Sequence, residues 1–442
     1  MRRRVQSMII VMGILLGNVA SAQRGQAPPG PQEPVNLNVT DFGAVGDGQT
    51  VNTAAIQKAL NACSAAGGGE VLVPAGNFVT GSILIGPRTI LKLDKDAILT
   101  GSANPADYPV IDVRWEGEWR PGHRSLIAMN HVDHCGVVGG GTIVGPPIAL
   151  AGLRPNARNG NARGPSILEP IECRDLRLEG FTIRYQRMWN VHLTYCDGVV
   201  VRNLTIRSNQ TNGDGIDVDS CRNVLIEGCD IETGDDAICL KSGRGMEAVR
   251  IARPTEEVII RNCTLSCPSF ACIGIGTEMS GGVRNVRIEN CKFVRAVNAI
   301  FIKSRDGRGG FIENITADGW DVSAQIQHVI HFDLRNKGIT ATETVDGPDG
   351  IPDVKNLTFT NIKTEARRLL WVTSIAPEKP VQNLSISNVT GICPEPINIS
   401  NINNLSLKNI DVTGVSGDFI KAQNVTGPNF EKIKEPKDTV WP

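Results

Sequence analysis

This chain has few aromatic residues, almost no net charge and no clear metal-binding motif. Aromatic residues make up 5% of the 442 residues, and the formal net charge is -1 at pH 7. The near-zero charge gives no reason to expect nucleic acid or an anionic membrane as a partner. Twelve cysteines are present, but no Cys-x-x-Cys pair lies beside a suitable second pair. We therefore expect no zinc site, no other metal and no cofactor.

Long apolar runs are also absent, apart from a short one at the N-terminus. Three arginines at residues 2–4, an apolar run over 8–16 and a small-x-small site at 20–22 are typical of a secretory signal peptide. We assign residues 1–22 to it, with a signal anchor as the alternative, and expect a secreted or periplasmic protein. No later stretch approaches the ~20 apolar residues of a membrane span. The Pro-rich residues 23–36 predict a flexible linker.

What the chain does have is a repeat of alternating apolar residues closed by Gly or Asn. It reads Leu176-x-Leu178-x-Gly180, later Val258-x-Ile260-x-Asn262, and most repeats begin 21 to 34 residues apart. Alternation with period two indicates strands, and a recurring period of this size indicates a solenoid. A leucine-rich repeat is the main alternative, but the units are too strand-like and glycine-rich for it. The prediction is an all-β, right-handed single-stranded parallel β-helix.

This β-helix is expected to form one catalytic domain over residues 37–442, monomeric by default. Residues 47–66 have helical spacing and predict a short N-terminal capping helix, because an uncovered solenoid end exposes core and strand edge. The asparagines that close the repeats are expected to stack and to bond to one another.

The cysteines fall into two sets that occupy equivalent positions of successive repeats. These predict buried ladders of thiols, although neighbours one coil apart are close enough to leave a disulfide open. The sets are Cys135, Cys173, Cys196 and Cys221, and Cys229, Cys263 and Cys291.

A second set of strands carries the acidic residues. Four segments of seven residues share one pattern. Position two is small, position three is Ile, position five is aliphatic and position seven is Ser or Thr, while positions four and six vary. The segments begin at Asp214, Asp236, Ala271 and Asn298. The aliphatic residues must face the core, so positions four and six should face solvent. Asp214 and Asp236 then lie on adjacent coils, about 4.8 Å apart along the axis, with Asp235 beside them. Three carboxylates this close cannot all ionise freely, and at least one pKa should be raised.

Two lysines fall on the outer side of the same strands. Lys241 and Lys303 occupy position six two coils apart, with Gly276 between them. A sugar carboxylate would fit between the two ammonium groups. The alternative is a surface salt-bridge ladder without a reaction.

The acidic residues belong to two short motifs, Asn212-Gly213-Asp214 and Gly234-Asp235-Asp236. With these motifs the chain resembles glycoside hydrolase family 28, the polygalacturonases and rhamnogalacturonases, and the likeness runs from about Asp41 to Asn409. The resemblance implies a pectin-lyase-like solenoid and hydrolysis with inversion. It implies Asp235 as the general acid, with Asp214 and Asp236 activating water. It also implies that Asn212 lies at the substrate site.

Two positions depart from the family pattern. The family's active-site histidine falls on Ala271, and the arginine of its Arg-Ile-Lys motif falls on Phe301, although Lys303 is kept. An exo-acting or rhamnogalacturonan-directed enzyme is therefore expected in place of a plain endo-polygalacturonase. Further substrate-binding residues are expected at Arg244 and Glu278.

The expected substrate is a pectic polysaccharide or an oligogalacturonide. Tryptophans that could form sugar platforms are Trp115, Trp119 and Trp189, and the six histidines are expected to be non-catalytic. Two other functions are compatible with the sequence. A calcium-dependent pectate lyase would use several acidic residues as ligands, and a non-catalytic pectin-binding β-helix would have lost its activity.

Overall fold

The chain winds into parallel strands that stack coil upon coil. The computed structural model describes residues 33–146, 163–185, 188–335, 343–415 and 417–428. The strands run as β1 Val35–Asn38, β2 Asp47–Val51, β3 Gly69–Val73, β4 Gly76–Thr80, β5 Ile83–Leu84, β6 Thr89–Leu93, β7 Ala97–Gly101, β8 Val110–Trp115, β9 Glu118–His123, β10 Ile127–Asn130, β11 Gly136–Gly139, β12 Thr142–Val144, β13 Leu168–Ile171, β14 Arg174–Glu179, β15 Thr182–Arg184 and β16 Val191–Thr194. They continue as β17 Asp197–Arg202, β18 Thr205–Ser208, β19 Ile216–Asp219, β20 Arg222–Glu227, β21 Asp230–Thr233, β22 Ile238–Lys241, β23 Thr255–Arg261, β24 Thr264–Ile275, β25 Val283–Lys303, β26 Phe311–Asp333, β27 Asp353–Thr364, β28 Arg368–Thr373, β29 Val381–Ile392, β30 Ile397–Thr413 and β31 Ile420–Val425.

Within these ranges the strands form three parallel ladders, called sheets below, and most coils contribute a strand to each. The first sheet begins β1, β3, β6, β11, β14 and β17; the second begins β2, β4, β7, β12, β15 and β18; the third begins β5, β10, β13, β16, β19 and β22. Later strands are long and bend from one sheet into the next, as β25 does when it pairs with both β23 and β24. The protein is a right-handed parallel β-helix, as predicted.

The repeat aligns as the sequence predicts. Leu176 pairs with Val199, Val199 with Val224, and Val224 with Val258, and all four side chains are buried in one continuous core. The closing asparagines adopt left-handed backbone conformations, which Asn tolerates better than most residues. In the C-terminal half they form the expected ladder: Asn409 Nδ2 donates to Asn388 Oδ1 at 2.9 Å, and Asn388 Nδ2 donates to Asn361 Oδ1 at 3.0 Å.

The cysteines are buried thiols, as the ladders predict. All twelve are free, so the disulfide that the sequence left open is not formed. Their thiols find partners along the stack: Cys173 Sγ donates to Met129 O at 3.3 Å, and Cys221 Sγ accepts from Cys196 N at 3.2 Å.

The N-terminal end is covered by the helix α1, Thr53–Ala65, which buries Ile56 and Leu60 against the first coils. The helix is shorter than the 47–66 segment, since Asp47–Val51 forms β2 instead. The first strand begins at Val35, two residues before the expected domain start. Residues 1–32 lie outside the described ranges, so the signal peptide stays a prediction. Over the described ranges, no helix has the length and apolar character to span a membrane.

The remaining elements are short insertions. A second helix, α2, spans Gly245–Ile251, and single 3₁₀ turns span Val39–Phe42, Pro105–Asp107 and Gly347–Gly350. Strands β8 and β9 pair antiparallel, which sets this hairpin apart from the coils. It is the insertion that shapes the groove on the third sheet.

Candidate active site

The four acidic-strand segments lie side by side in the third sheet, in the predicted register. Ile216 pairs with Ile238, Ile238 with Ile273, and Ile273 with Ile300. The residues two positions earlier, Asp214 and Asp236, therefore occupy neighbouring coils. One carboxylate oxygen of each of Asp214, Asp235 and Asp236 lies within 4.8 Å of the others. We call these three residues the carboxylate cluster.

Asp236 is the most firmly held member of the cluster. Its Oδ2 lies 2.6 Å from Lys303 Nζ, and its Oδ1 accepts a hydrogen bond from Ala271 N at 3.2 Å. Burial opposes the charged amine of Lys303, but the charge and hydrogen bond of Asp236, together with Cys239, raise the pKa of Lys303. Lys303 therefore stays charged beside Asp236.

Asp235 has a different environment. It is partly exposed, and its Oδ1 accepts from Asp236 N at 3.0 Å. Burial and the charge of Asp236 raise the pKa of Asp235 to about 6, against the opposing charge of Lys303. A carboxyl group with this pKa is protonated in weakly acidic solution, which suits proton donation.

Asp214 is almost fully buried, and its Oδ1 has no hydrogen-bond partner among the described residues. Burial, together with the charges of Asp235 and Asp217, raises the pKa of Asp214 well above its ordinary value. The cluster therefore holds fewer than three negative charges, as its crowding predicts.

The outward positions of these strands are not exposed, and that expectation was wrong. Asp217, Asp219 and Lys241 face away from the core but are 0%, 1% and 5% exposed. The hairpin β8–β9 contacts this side of the groove. Its Arg114 Nε lies 3.5 Å from Asp219 Oδ2, while Arg114 Nη1 lies 2.7 Å from Glu247 of α2.

The same hairpin fixes Arg244. The guanidinium of Arg244 is buried and paired with Glu118, next to Glu116 at 3.6 Å. At the hairpin turn, Gly117 approaches so closely that a Cβ there would lie 2.9 Å from Arg244 N. Arg244 therefore lies beneath the hairpin.

Lys241 is enclosed by two carboxylates and an aromatic ring. Its Nζ lies 3.4 Å from Asp217, 3.3 Å from Glu278 and 4.9 Å from the centre of the Trp189 ring. Burial raises the pKa of Asp217 to about 7, against Lys241. Although burial acts in the other direction, Lys241 and Arg308 hold the pKa of Glu278 well below its usual range. Lys241 is thus largely neutralised within the protein, whereas Lys303 keeps 13% of its side chain exposed beside the cluster.

These contacts also count against a calcium site of the kind that a pectate lyase would need. The cluster's oxygen atoms are close enough to hold a cation. The additional ligands that the lyase hypothesis needs are engaged elsewhere, because Asp219 pairs with Arg114 and accepts from Gly243 N at 2.9 Å, and Asp217 lies beside Lys241.

Of the tryptophans, Trp115 and Trp189 pack together in a small buried cluster, while Trp119 is 41% exposed on the hairpin. Asn212 lies at the edge of the cluster in a left-handed conformation, with Oδ1 buried and unpartnered in the described chain.

The sequence interpretation missed two further coils of this sheet. His328-Val329-Ile330-His331 and Arg368-Leu369-Leu370-Trp371 continue the same column, with Ile300 paired to Ile330 and Ile330 to Leu370. The signal was present, since both segments keep apolar residues at the two core-facing positions, Ile330 and Phe332 in the first and Leu370 and Val372 in the second. They place Phe301, His331 and Trp371 in one line beyond the cluster.

A groove on a right-handed parallel β-helix, with carboxylates of unequal pKa at its centre, defines a class of enzymes that cleave polysaccharides. The sequence model of glycosyl hydrolases family 28 matches residues 63–406, so the chain belongs to this family and is a glycoside hydrolase. A probable polygalacturonase of Vitis vinifera is 31% identical over 366 residues, covering 80% of this chain and 74% of the relative.

Solved structures of similar proteins agree with this family assignment. An exopolygalacturonase of Thermotoga maritima is 27% identical with a TM-score of 0.75, covering 87% of this chain and 93% of that one. A family 28 exopolygalacturonase of Yersinia enterocolitica has a TM-score of 0.76 at 21% identity, covering 89% and 78%; at this identity the likeness shows the fold alone.

Gly274 leaves the space that the Asp236 carboxylate occupies, and filling that space should impair catalysis. A Cβ at Gly274 would lie 2.6 Å from Asp236 Oδ2 and 3.2 Å from Cys239 Sγ. We expect Gly274→Ala to lower kcat/KM by roughly 10- to 100-fold, because small displacements of reacting groups are costly. Reducing-sugar release measures this, and the melting temperature of the same sample controls for folding. Wild-type activity in a folded variant would show that Asp236 tolerates displacement.

Proposed function

We propose that this polygalacturonase-like hydrolase releases galacturonate units from one end of an α-linked pectic polysaccharide or oligogalacturonide. The observation that carries the proposal is the asymmetry of the groove around the carboxylate cluster. On the coils before the cluster, the outward residues Glu169 and His192 are 2% and 0% exposed. On the coils after it, Phe301 and His331 are 7% and 9% exposed, and Lys303 and Trp371 are partly exposed.

The hairpin β8–β9 closes the enclosed side, which we call the sealed end. Arg114 and Glu118 anchor the hairpin to the third sheet and to α2 through Asp219 and Arg244. A polymer chain that cannot pass the sealed end can enter only by its terminus. This geometry supports exo action.

In the proposed mechanism Asp235 is the general acid. Its raised pKa and partial exposure let it carry a proton to the glycosidic oxygen. Asp214 and Asp236 position a water molecule, and Asp236, which forms an ion pair with Lys303, accepts its proton. Water then attacks the anomeric carbon as the leaving sugar departs, and the configuration inverts.

The proposal of inversion rests on the family resemblance more than on the distance between the carboxyl groups. Inverting glycosidases usually separate their carboxyl groups by about 6.5–9.5 Å, and retaining ones by about 5–5.5 Å. The closest oxygens of the cluster lie within 4.8 Å, although three carboxylates give water more than one binding geometry.

Lys303 is proposed to bind a substrate carboxylate beside the cluster, on the side away from the sealed end. At the sealed end, Asn212, Lys241 and Glu278 are proposed to shape the space for the terminal sugar ring. Arg244 is proposed to support this space from beneath the hairpin, where it pairs with Glu118. Because Lys241 is flanked by Asp217 and Glu278, its contribution to binding should be smaller than that of Lys303.

One time course of product release tests three points together: the substrate, whether cleavage starts at a chain end, and the stereochemistry. We expect polygalacturonate to yield monogalacturonate from the first minutes, with little fall in viscosity, and proton NMR of fresh product to show the β-anomer first. A mixture of long oligomers would refute exo action, and the α-anomer first would refute inversion. Rhamnogalacturonan as the better substrate would favour the rhamnogalacturonan alternative.

The same samples distinguish the other classes. An unsaturated, ultraviolet-absorbing product whose release stops with EDTA would indicate a calcium-dependent lyase. Pectin binding without release of reducing ends would indicate a binding protein. Export through residues 1–22, with no membrane association after cleavage, and a monomeric state remain predictions.

A further inference from the structure

An aromatic line extends from the carboxylate cluster on the side away from the sealed end. Phe301 pairs in register with His331, and His331 with Trp371. Their rings stack nearly parallel: the centroids of Phe301 and His331 are 4.5 Å apart at 9°, and those of His331 and Trp371 are 4.5 Å apart at 6°. We call these three residues the aromatic strip.

The strip is held rigidly by its neighbours. His331 Nδ1 lies 3.0 Å from Asn298 Oδ1, and the His328 ring packs 4.6 Å from the Trp371 ring. Burial lowers the pKa of His328 to about 4 and that of His331 to about 3. Both rings are therefore uncharged in weakly acidic as well as in neutral solution, so charge repulsion does not oppose the stack.

Because the ring faces are turned toward one another, only ring edges can meet a ligand; Phe301 and His331 are 7% and 9% exposed, and Trp371 is partly exposed. Aromatic edges carry partial positive charge and suit the oxygens of hydroxyl and carboxylate groups. His328 Nδ1 is buried without a hydrogen-bond partner in the part of the chain described, so the site has polar capacity that the protein itself leaves unused. The Arg368 guanidinium lies 5.0 Å over Trp371 and adds positive charge, although it also pairs with Glu395.

We propose that the aromatic strip, with His328, binds the second and third sugar rings beyond the scissile bond and so selects longer galacturonan chains. The proposal rests on the proposed function, in which the chain end lies at the sealed end and the rest of the polymer must leave across the strip. Phe301 to Trp371 covers two coil spacings, roughly 10 Å along the axis. This run begins beside Lys303, which contacts Asp236.

The test compares digalacturonate with hexagalacturonate. Digalacturonate ends before the far part of the strip, whereas hexagalacturonate covers it. Trp371→Ala should raise KM for hexagalacturonate about 3- to 10-fold, the effect of an aromatic contact worth about 0.5–1.5 kcal/mol, with kcat within twofold. KM for digalacturonate should not change, and Trp371→Phe should restore most of the affinity. Equal effects on both substrates, or no effect on either, would overturn the proposal.

Binding in an inactive background separates this proposal from the proposed function. With Asp235→Asn as the parent, calorimetry should show weaker hexagalacturonate binding for Trp371→Ala, whatever products the wild type makes. Endo products from the wild type would refute exo action but leave this binding result standing. If Trp371→Ala does not fold, His328→Leu removes the imidazole nitrogens and keeps apolar bulk. Unchanged hexagalacturonate binding by His328→Leu would then count against the site.

Discussion

Asp235→Asn should abolish nearly all hydrolysis, with kcat falling by about 10²- to 10⁴-fold, the range for loss of a general acid or base. Asparagine keeps the shape of the side chain but cannot donate a carboxyl proton. Stability should not fall, because the change removes one charge from a crowded cluster whose members raise each other's pKa. Initial rates on polygalacturonate and thermal unfolding of the same preparation measure both effects.

The matched control is Asp321→Asn, an exposed aspartate in the second-sheet part of β26. It makes the same chemical change away from the groove and should leave kcat unaltered. If Asp235→Asn retained wild-type rates, another residue would have to supply the proton. Asp214, with its raised pKa, would be the next candidate.

Lys303→Gln should move the alkaline limb of the pH–rate profile to higher pH and lower kcat/KM by roughly 10- to 100-fold. A general acid works when protonated, so wild-type activity should fall as pH rises through the pKa of Asp235, about 6. The Lys303 charge favours the ionised form of Asp235 and opposes that raised pKa. Removing the charge raises the pKa further, so Asp235 stays protonated to higher pH. The fall in rate follows from lost contact with Asp236 and with the substrate carboxylate.

The pH dependence of kcat/KM in steps of half a unit measures this shift. The observed pKa belongs to the cluster as a whole, since its three carboxylates titrate together. Lys363→Gln, at an exposed lysine of β27, is the control and should leave the profile in place. If the alkaline limb moved to lower pH in Lys303→Gln, Asp235 would not be the general acid whose pKa Lys303 lowers.

The register of the third sheet could be read from the sequence because a solenoid is built from neighbour contacts that repeat. Alternating aliphatic residues decide which side chains face the core, so Ile216, Ile238, Ile273 and Ile300 align without further information. The proximity of Asp214 and Asp236 follows from that alignment. The same pattern extends to His328 and Arg368, and there the interpretation stopped too early.

Exposure of the outward positions could not be read in this way. Whether Asp217 and Lys241 meet solvent depends on the hairpin β8–β9, which lies outside the repeat. Its contacts join residues far apart in sequence: Arg114 and Asp219 are separated by 105 positions, and Glu118 and Arg244 by 126. No period in the sequence relates such residues.

By itself, the sequence determined the β-helix, the family resemblance and the three aspartates on neighbouring coils. Those features depend on side-chain alternation and on contacts between successive coils. Only the tertiary structure decided that the hairpin β8–β9 packs on the outward side of the third sheet, that Lys303 pairs with Asp236, and that Phe301 begins an aromatic strip. These arise where an insertion packs on the sheet or where side chains several coils apart meet, and such contacts depend on the path of the whole chain.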